Sequence, residues 1–214
     1  VARRFGMEFQ FHPSARRMRT MIAVSRQGHC INALLHRWRD GHLPIDITGV
    51  VSNHDEHRAL TEWYELPFYY LPIEDGRKDE QEERLLALFE ETESELLVLA
   101  RYMQILSPTA CAQLAGRAIN IHHSFLPAFS GASPYRRAYE RGVKIIGATA
   151  HYDATDLDEG PIIEQSLQSV DHTHSLELFV FVGLVKQNLA LTRTVKRHTE
   201  HRAFLDGNKT VIFR

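Results

Sequence analysis

The chain has 214 residues, 43% of them hydrophobic and 24% charged, an ordinary composition for one large domain or two small ones with a real core. Its 25 Lys and Arg nearly balance 27 Asp and Glu, for a net charge of −2, so charge supplies no argument for nucleic acid or an anionic membrane as partner. Two cysteines, Cys30 and Cys111, are too few for a disulfide framework and fit a reducing, cytoplasmic setting.

The opening stretch, "VARRFGMEFQFHPSARRMRT", is basic but lacks the continuous apolar core and cleavage pattern of a secretory signal. No apolar run reads as reaching the roughly 18–20 residues of a membrane span. Residues 1–18 are expected to be an irregular arm or linker left from a missing upstream domain, with regular alternation from residue 19. "TMIAVS" (20–25) reads as a first strand, and "HCINALLHRWRDG" as a helix with Ile31, Leu34, Leu35 and Trp38 on one face and Gly41 as its stop. "DITGVVSN" is a strand, "DEHRALTEWYE" a helix and "PFYYLP" a short strand. "DGRKDEQEERLLALFEET" is an amphipathic helix whose charges face water. The apolar run "ELLVLA" (95–100) fits a central parallel strand covered on both faces. In "SPTACAQLAG", Ser107 is the expected N-cap, Pro108 the first helical residue and Gly116 the stop. "INIHHSFLPAF" (119–129) supplies the next strand. After it come a short helix at "SPYRRAYERG", strands at "KIIGATAHYD" and "PIIEQSLQSV", a long helix over 175–200 and a last strand at "KTVIFR". Strands alternating with helices predict an α/β fold: a doubly wound, mostly parallel sheet with helices on both faces.

In such sheets ligands bind beyond the carboxyl ends of the strands. Asn120, His122 and Ser124 stand at alternate positions, so they share one face while the strand lasts; Ile119, Ile121 and His123 take the other. An amide N–H₂ donor beside an imidazole suits a reaction in which a carbonyl oxygen gathers negative charge. The loop "HYDATDLDEGP" (151–161) carries Asp153, Asp156, Asp158 and Glu159. Such a loop is ordinarily solvated, but a carboxylate reaching His122 would raise the imidazole's proton affinity and hold a water.

Metal and nucleotide readings are weaker. His122 and His123 point to opposite faces of a strand and make a poor chelating pair. "HTH" (172–174) and "HDEH" (54–57) have compatible spacing but no third ligand. The Cys30 thiol has no electropositive cluster to activate it. The first strand-to-helix turn, "SRQGHC", has only Gly28 where a phosphate cradle needs several glycines, so the dinucleotide reading fails.

The blocks "INIHHSFLPAFSGA" and "GATAHYDATDLDEGPIIEQ" resemble the formyltransferase-fold enzymes that use 10-formyltetrahydrofolate. Asn120, His122, Ser124, Leu126, Pro127, Asp158, Gly160 and Pro161 match that signature. "GHCINALLHRW", "GVVSNH", "LARYMQILSP" and "EHRAFLDGNKTVIF" narrow the likeness, across residues 19–214, to the formyltetrahydrofolate deformylases. Members of that family carry an N-terminal ACT regulatory domain, which makes residues 1–18, with "FGMEF", the remnant of its end. The runner-up family, the glycinamide ribonucleotide transformylases, has a glycine-rich first turn that cradles the acceptor's phosphate; the turn here is of the deformylase kind. A catalytically silent folate-binding module is a third reading.

The resemblance implies hydrolysis of 10-formyltetrahydrofolate to tetrahydrofolate and formate, supplying formate for one-carbon and purine metabolism. It implies Asn120, His122 and Asp158 as catalytic residues. Met103, Ile105, Leu106, His151, Asp156 and Gly160 would contact the folate, with no prosthetic group and no metal. Asp158 would position and deprotonate water, directly or through His122. Asn120 and protonated His122 would hold the oxyanion, and His122 would protonate N10. Ser124 and Pro127 would shape the turn behind them; His123 would support from the other face. The partners implied are folate and water, with no nucleic acid and no membrane, and a dimer or tetramer of the chain. Departures from the family pattern fall at Ser133 and Arg136 and, in the last helix, at Phe181, Leu184, Val185 and Gln187. They bear on oligomer contacts, turnover and the helix's salt bridges.

Overall fold

The computed structural model describes residues 4, 6, 11–74, 76–126 and 134–213. In chain order its elements are β1 (Met18–Val24), α1 (His29–Arg39), β2 (Ile45–Ser52), α2 (Arg58–Trp63), β3 (Phe68–Tyr70), α3 (Lys78–Glu91), β4 (Leu96–Leu99), α4 (Pro108–Gln113), β5 (Ala118–His122), α5 (Pro134–Arg141), β6 (Ile145–Tyr152), β7 (Ile162–Ser169), α6 (Leu176–Thr199), β8 (Ala203–Asp206) and β9 (Lys209–Ile212). Seven strands form one sheet in the order β3-β2-β1-β4-β5-β6-β7. The first five run parallel, and β6 and β7 are antiparallel to their neighbours. The mostly parallel, doubly wound sheet is therefore present, with an antiparallel edge.

Two cores follow from the period-2 alternation of the central strands. Ile22 and Val24 of β1, with Leu96 and Val98 of β4, pack under Ile31, Leu34 and Leu35 of α1 and Leu191 and Val195 of α6. Met21, Ala23, Leu97 and Leu99 face the opposite way, against Leu85, Leu88 and Phe89 of α3 and Cys111 and Leu114 of α4. β4 is buried at all four positions, as a strand covered on both faces must be. The helix ends follow local chemistry. Ser107 Oγ accepts from the Ala110 amide at 3.1 Å with Pro108 behind it, and Ser175 caps α6 by accepting from Leu178 N.

α6 corrects one expectation, because it is long and apolar enough by composition to cross a membrane. Much of that apolarity covers the sheet: Ala190, Leu191 and Val195 are fully buried. Its outer face shows Leu178, Phe181 and Val185 to solvent. The last strand is half of a hairpin, β8 with β9. Thr210 Oγ1 ties that hairpin to the carbonyl of Ile162 at 2.6 Å.

α6 is also joined to β6 through the Tyr152 hydroxyl and His198 Nδ1, 2.8 Å apart. Burial, and secondarily His201, pushes the His198 imidazole from 6.5 down to about 4. The unfolded chain therefore binds one more proton than the folded one between those values. Stability present above pH 6.5 is lost as the pH falls towards 4, by roughly 3 kcal/mol for this group. Urea melts at pH 7 and pH 4.5 should show that loss, and His198→Asn should lose much less over the same interval. Parallel pH profiles for the two proteins would refute the assignment.

Candidate active site

The carboxyl ends of β4 and β5, the loop after β6 and the first half of α6 enclose a cavity of about 650 Å³. Asn120, half-buried, and His122, 5% exposed, come from the middle and the last position of β5 and line it. The register sets Asn120 against Leu99, the last residue of β4, on one side and His151, one before the end of β6, on the other.

His122 Nδ1 lies 2.8 Å from Asp158 Oδ1. Asp158 has φ +62°, a left-handed conformation that costs on the order of 1–3 kcal/mol in a non-glycine residue and turns its carboxylate inward. Burial opposes ionisation of Asp158, but the hydrogen bond from His122 and the nearby His122, His151 and His123 rings outweigh it. The carboxyl lies below its ordinary range. With Nδ1 engaged, His122 Nε2 is buried without a hydrogen-bond partner among the described residues. An unpaired buried nitrogen is costly in a finished core; here it belongs to a ring that lines a cavity.

His151 stands behind this pair and does not line the cavity. Its Nδ1 donates to the Tyr152 carbonyl at 2.7 Å, which fixes the tautomer and leaves Nε2 as an acceptor. Nε2 lies 3.5 Å from Asn120 Nδ2 and 3.8 Å from Asp158 Oδ1. Burial holds this imidazole below its usual value, so it is neutral and turns the Asn120 amide so that one N–H₂ hydrogen is left for the cavity. Gly160 closes the same corner. A Cβ there would fall 1.8 Å from the Tyr152 carbonyl oxygen, so the loop can return over β6 only as glycine.

Met103 and Ile105, both more than half exposed, and buried Leu106 line the cavity as apolar wall. Asp156 does not. It is exposed and outside the lining; neighbouring Asp153, Thr155 and Leu157 line the wall. His123 needs correction. β5 ends at His122, alternation lapses, and the His123 ring comes to 4.8 Å from that of His122 in the same cavity. Ser124 is likewise not on the shared face. It is buried, and its carbonyl accepts from Thr149 Oγ1 at 2.9 Å, which also receives the Leu126 amide. Pro127 and Ser133 lie outside the described residues.

Sequence reasoning missed Arg101, Gln27, Tyr135 and Cys111, all of which line the cavity. The Cys111 thiol lies 3.3 Å from Asp153 Oδ2, and burial, then Asp153, pushes it up to about 12. Burial likewise takes Cys30 to about 12, so neither thiol is a nucleophile at neutral pH. In the last helix Leu184 and Gln187 face the cavity and Phe181 and Val185 face solvent. Arg136 is exposed at the rim. His57, from the "HDEH" pair, hydrogen-bonds the Arg26 carbonyl, and His174, from "HTH", pairs with Asp171.

An amide and a carboxylate-held imidazole at the strand ends of a doubly wound sheet define a class, and residues 18–180 match the formyl transferase family. The chain is 48% identical over its full length to the formyltetrahydrofolate deformylase of Corynebacterium sp. strain P-1, spanning 75% of that relative. The crystal structure of the Burkholderia mallei formyltetrahydrofolate deformylase superposes with a TM-score of 0.94 at 50% identity, over 100% of this chain and 76% of that one. The phosphoribosylglycinamide formyltransferase of Anaplasma phagocytophilum has a TM-score of 0.83 at 26% identity, over 93% of this chain and 96% of that one. Within the class, the chain belongs to the formyltetrahydrofolate deformylase family.

Proposed function

We propose that this cavity hydrolyses 10-formyltetrahydrofolate to tetrahydrofolate and formate. The observation that carries the reading is His122, bonded through Nδ1 to Asp158, with Nε2 left without a partner among the described residues, in the cavity that Asn120 also lines. The folate ring takes the apolar wall of Met103, Ile105 and Leu106, with the formyl group against Asn120 and His122. Water adds to the formyl carbon as His122 Nε2 takes its proton. The new oxyanion accepts from Asn120 Nδ2 and from the imidazolium. The C–N10 bond then breaks, His122 returns its proton to N10, and formate leaves while its acid proton passes to solvent. Asp158, held below its ordinary pKa, is a weak base. It acts by fixing Nδ1–H and by balancing the imidazolium, which favours the route through His122 over direct deprotonation of water. Side chains and water are the only groups this route uses.

Water rather than an amine is favoured as acceptor by the turn between β1 and α1. The His57 ring lies 2.7 Å from where a Cβ on Gly28 would sit, and His29 is tied to Gln187 at 2.9 Å. A phosphate cradle needs that space. Incubation with 10-formyltetrahydrofolate, with and without glycinamide ribonucleotide, tests the reading. Formate should appear at the same rate in both; consumption that depends on the amine would make the protein a transferase, and binding without turnover a silent folate module.

A further inference from the structure

Arg101 follows β4 at the point where the sheet order reverses, with β1 and β2 on one side and β5 beyond β4 on the other, the crevice in which such sheets bind ligands. Arg101 lines the cavity, yet it is only 8% exposed. Its backbone is held at φ +62°, a left-handed conformation that is strained in arginine. The Ser25 amide donates to the Arg101 carbonyl at 3.2 Å, and Ser25 Oγ accepts from the Met103 amide at 2.9 Å. The turn after β1 thus fixes the side chain's direction.

The groups around it are neutral. Nε donates to Gln27 Oε1 at 3.0 Å. Its ionisable neighbours include the Cys30 thiol and the Tyr135 phenol, both pushed up to about 12 by burial and so uncharged at pH 7. His29 is lowered, first by burial, and it and Tyr135 bond the neutral amide of Gln187. Among the described residues no carboxylate pairs with Arg101. A buried cation without a counter-ion is costly, and the planar fork of a guanidinium matches a carboxylate.

We propose that Arg101, with Gln27, forms a product site that receives formate as it is released from the formyl carbon. The inference rests on the hydrolase reading, which supplies the anion. Formate is the smallest planar carboxylate and fits a buried guanidinium. Gln187 keeps the site cationic by being an amide where an acid would neutralise it.

Calorimetric titration of sodium formate, at constant ionic strength and without folate, tests this on wild type, Arg101→Met and Gln187→Glu, each first shown to be folded by circular dichroism. Loss of one charge-assisted pair should weaken formate binding about tenfold or more in Arg101→Met. Gln187→Glu, which adds an internal counter-ion, should act in the same direction. Product inhibition by formate should shift in parallel. Unchanged formate affinity in both variants overturns the site. So does weaker tetrahydrofolate binding in Arg101→Met with tetrahydropteroate and formate unaffected, because Arg101 would then read the glutamyl tail. A wild type that binds formate through Arg101 yet releases none from 10-formyltetrahydrofolate would refute the hydrolase reading and leave the carboxylate site standing.

Discussion

Asp158→Asn should lower formate release by about 10³–10⁴ while leaving tetrahydrofolate binding within a few-fold of wild type. The substitution keeps the size of the side chain and removes its charge. In the wild type the carboxylate, 2.8 Å from His122 Nδ1, does two things. It accepts the Nδ1 proton, which keeps Nε2 free as a base, and it stabilises the imidazolium formed when water is deprotonated. An amide can donate to Nδ1, which reverses the tautomer, and it cannot balance the imidazolium in either orientation. The nearby His151 ring adds to the effect. Its Nε2 is an acceptor 3.8 Å from Asp158 Oδ1, so an amide N–H₂ in this corner has an alternative partner and is drawn away from His122. Single-turnover formate release, with folate binding measured separately, checks the prediction. A rate within tenfold of wild type would remove the carboxylate from the chemistry.

What could be read beforehand followed from local rules. The cap at Ser107, the four-residue apolar run of β4 and the alternation of Ile119 and Ile121 with Asn120 and His122 each depend on residues within one turn or one strand. The errors arose where tertiary placement decides. Alternation extended past His122 places His123 on the far face, but the strand ends there and the period ends with it. The antiparallel edge was missed because a period-2 pattern carries no direction; the helix-free link from Tyr152 to Ile162 is nonetheless short for a parallel crossover. The β8–β9 hairpin had its own signal in Gly207-Asn208. Asp156 and Asp158 are chemically alike in sequence, and the structure separates an exposed carboxylate from a half-buried one held at φ +62°. Arg101 was hidden for a related reason. A charged residue after an apolar run looks like a strand end, and its burial arises only when the β1 turn and α6, far away in the chain, close over it.

Asn120→Ala should cut turnover by about 10²–10³ with little change in stability, since the amide stabilises charge that exists only during the reaction. The side chain is half-buried in the cavity wall, and its one side-chain hydrogen bond among the described residues, to His151 Nε2, is long at 3.5 Å. Removing it therefore forfeits little folding energy. A bond that is weak in the resting protein and aimed at a developing oxyanion affects kcat more than KM. Asn120→Asp sharpens the test. It is nearly isosteric, but its carboxylate would face the oxyanion and lie beside Asp158, so it should be worse than alanine. If Asn120 acted only as packing, the order would reverse, with the isosteric variant retaining more activity. Comparing kcat for the two variants at pH 7 distinguishes the cases, and near wild-type hydrolysis by Asn120→Ala would take the oxyanion role away from this residue altogether.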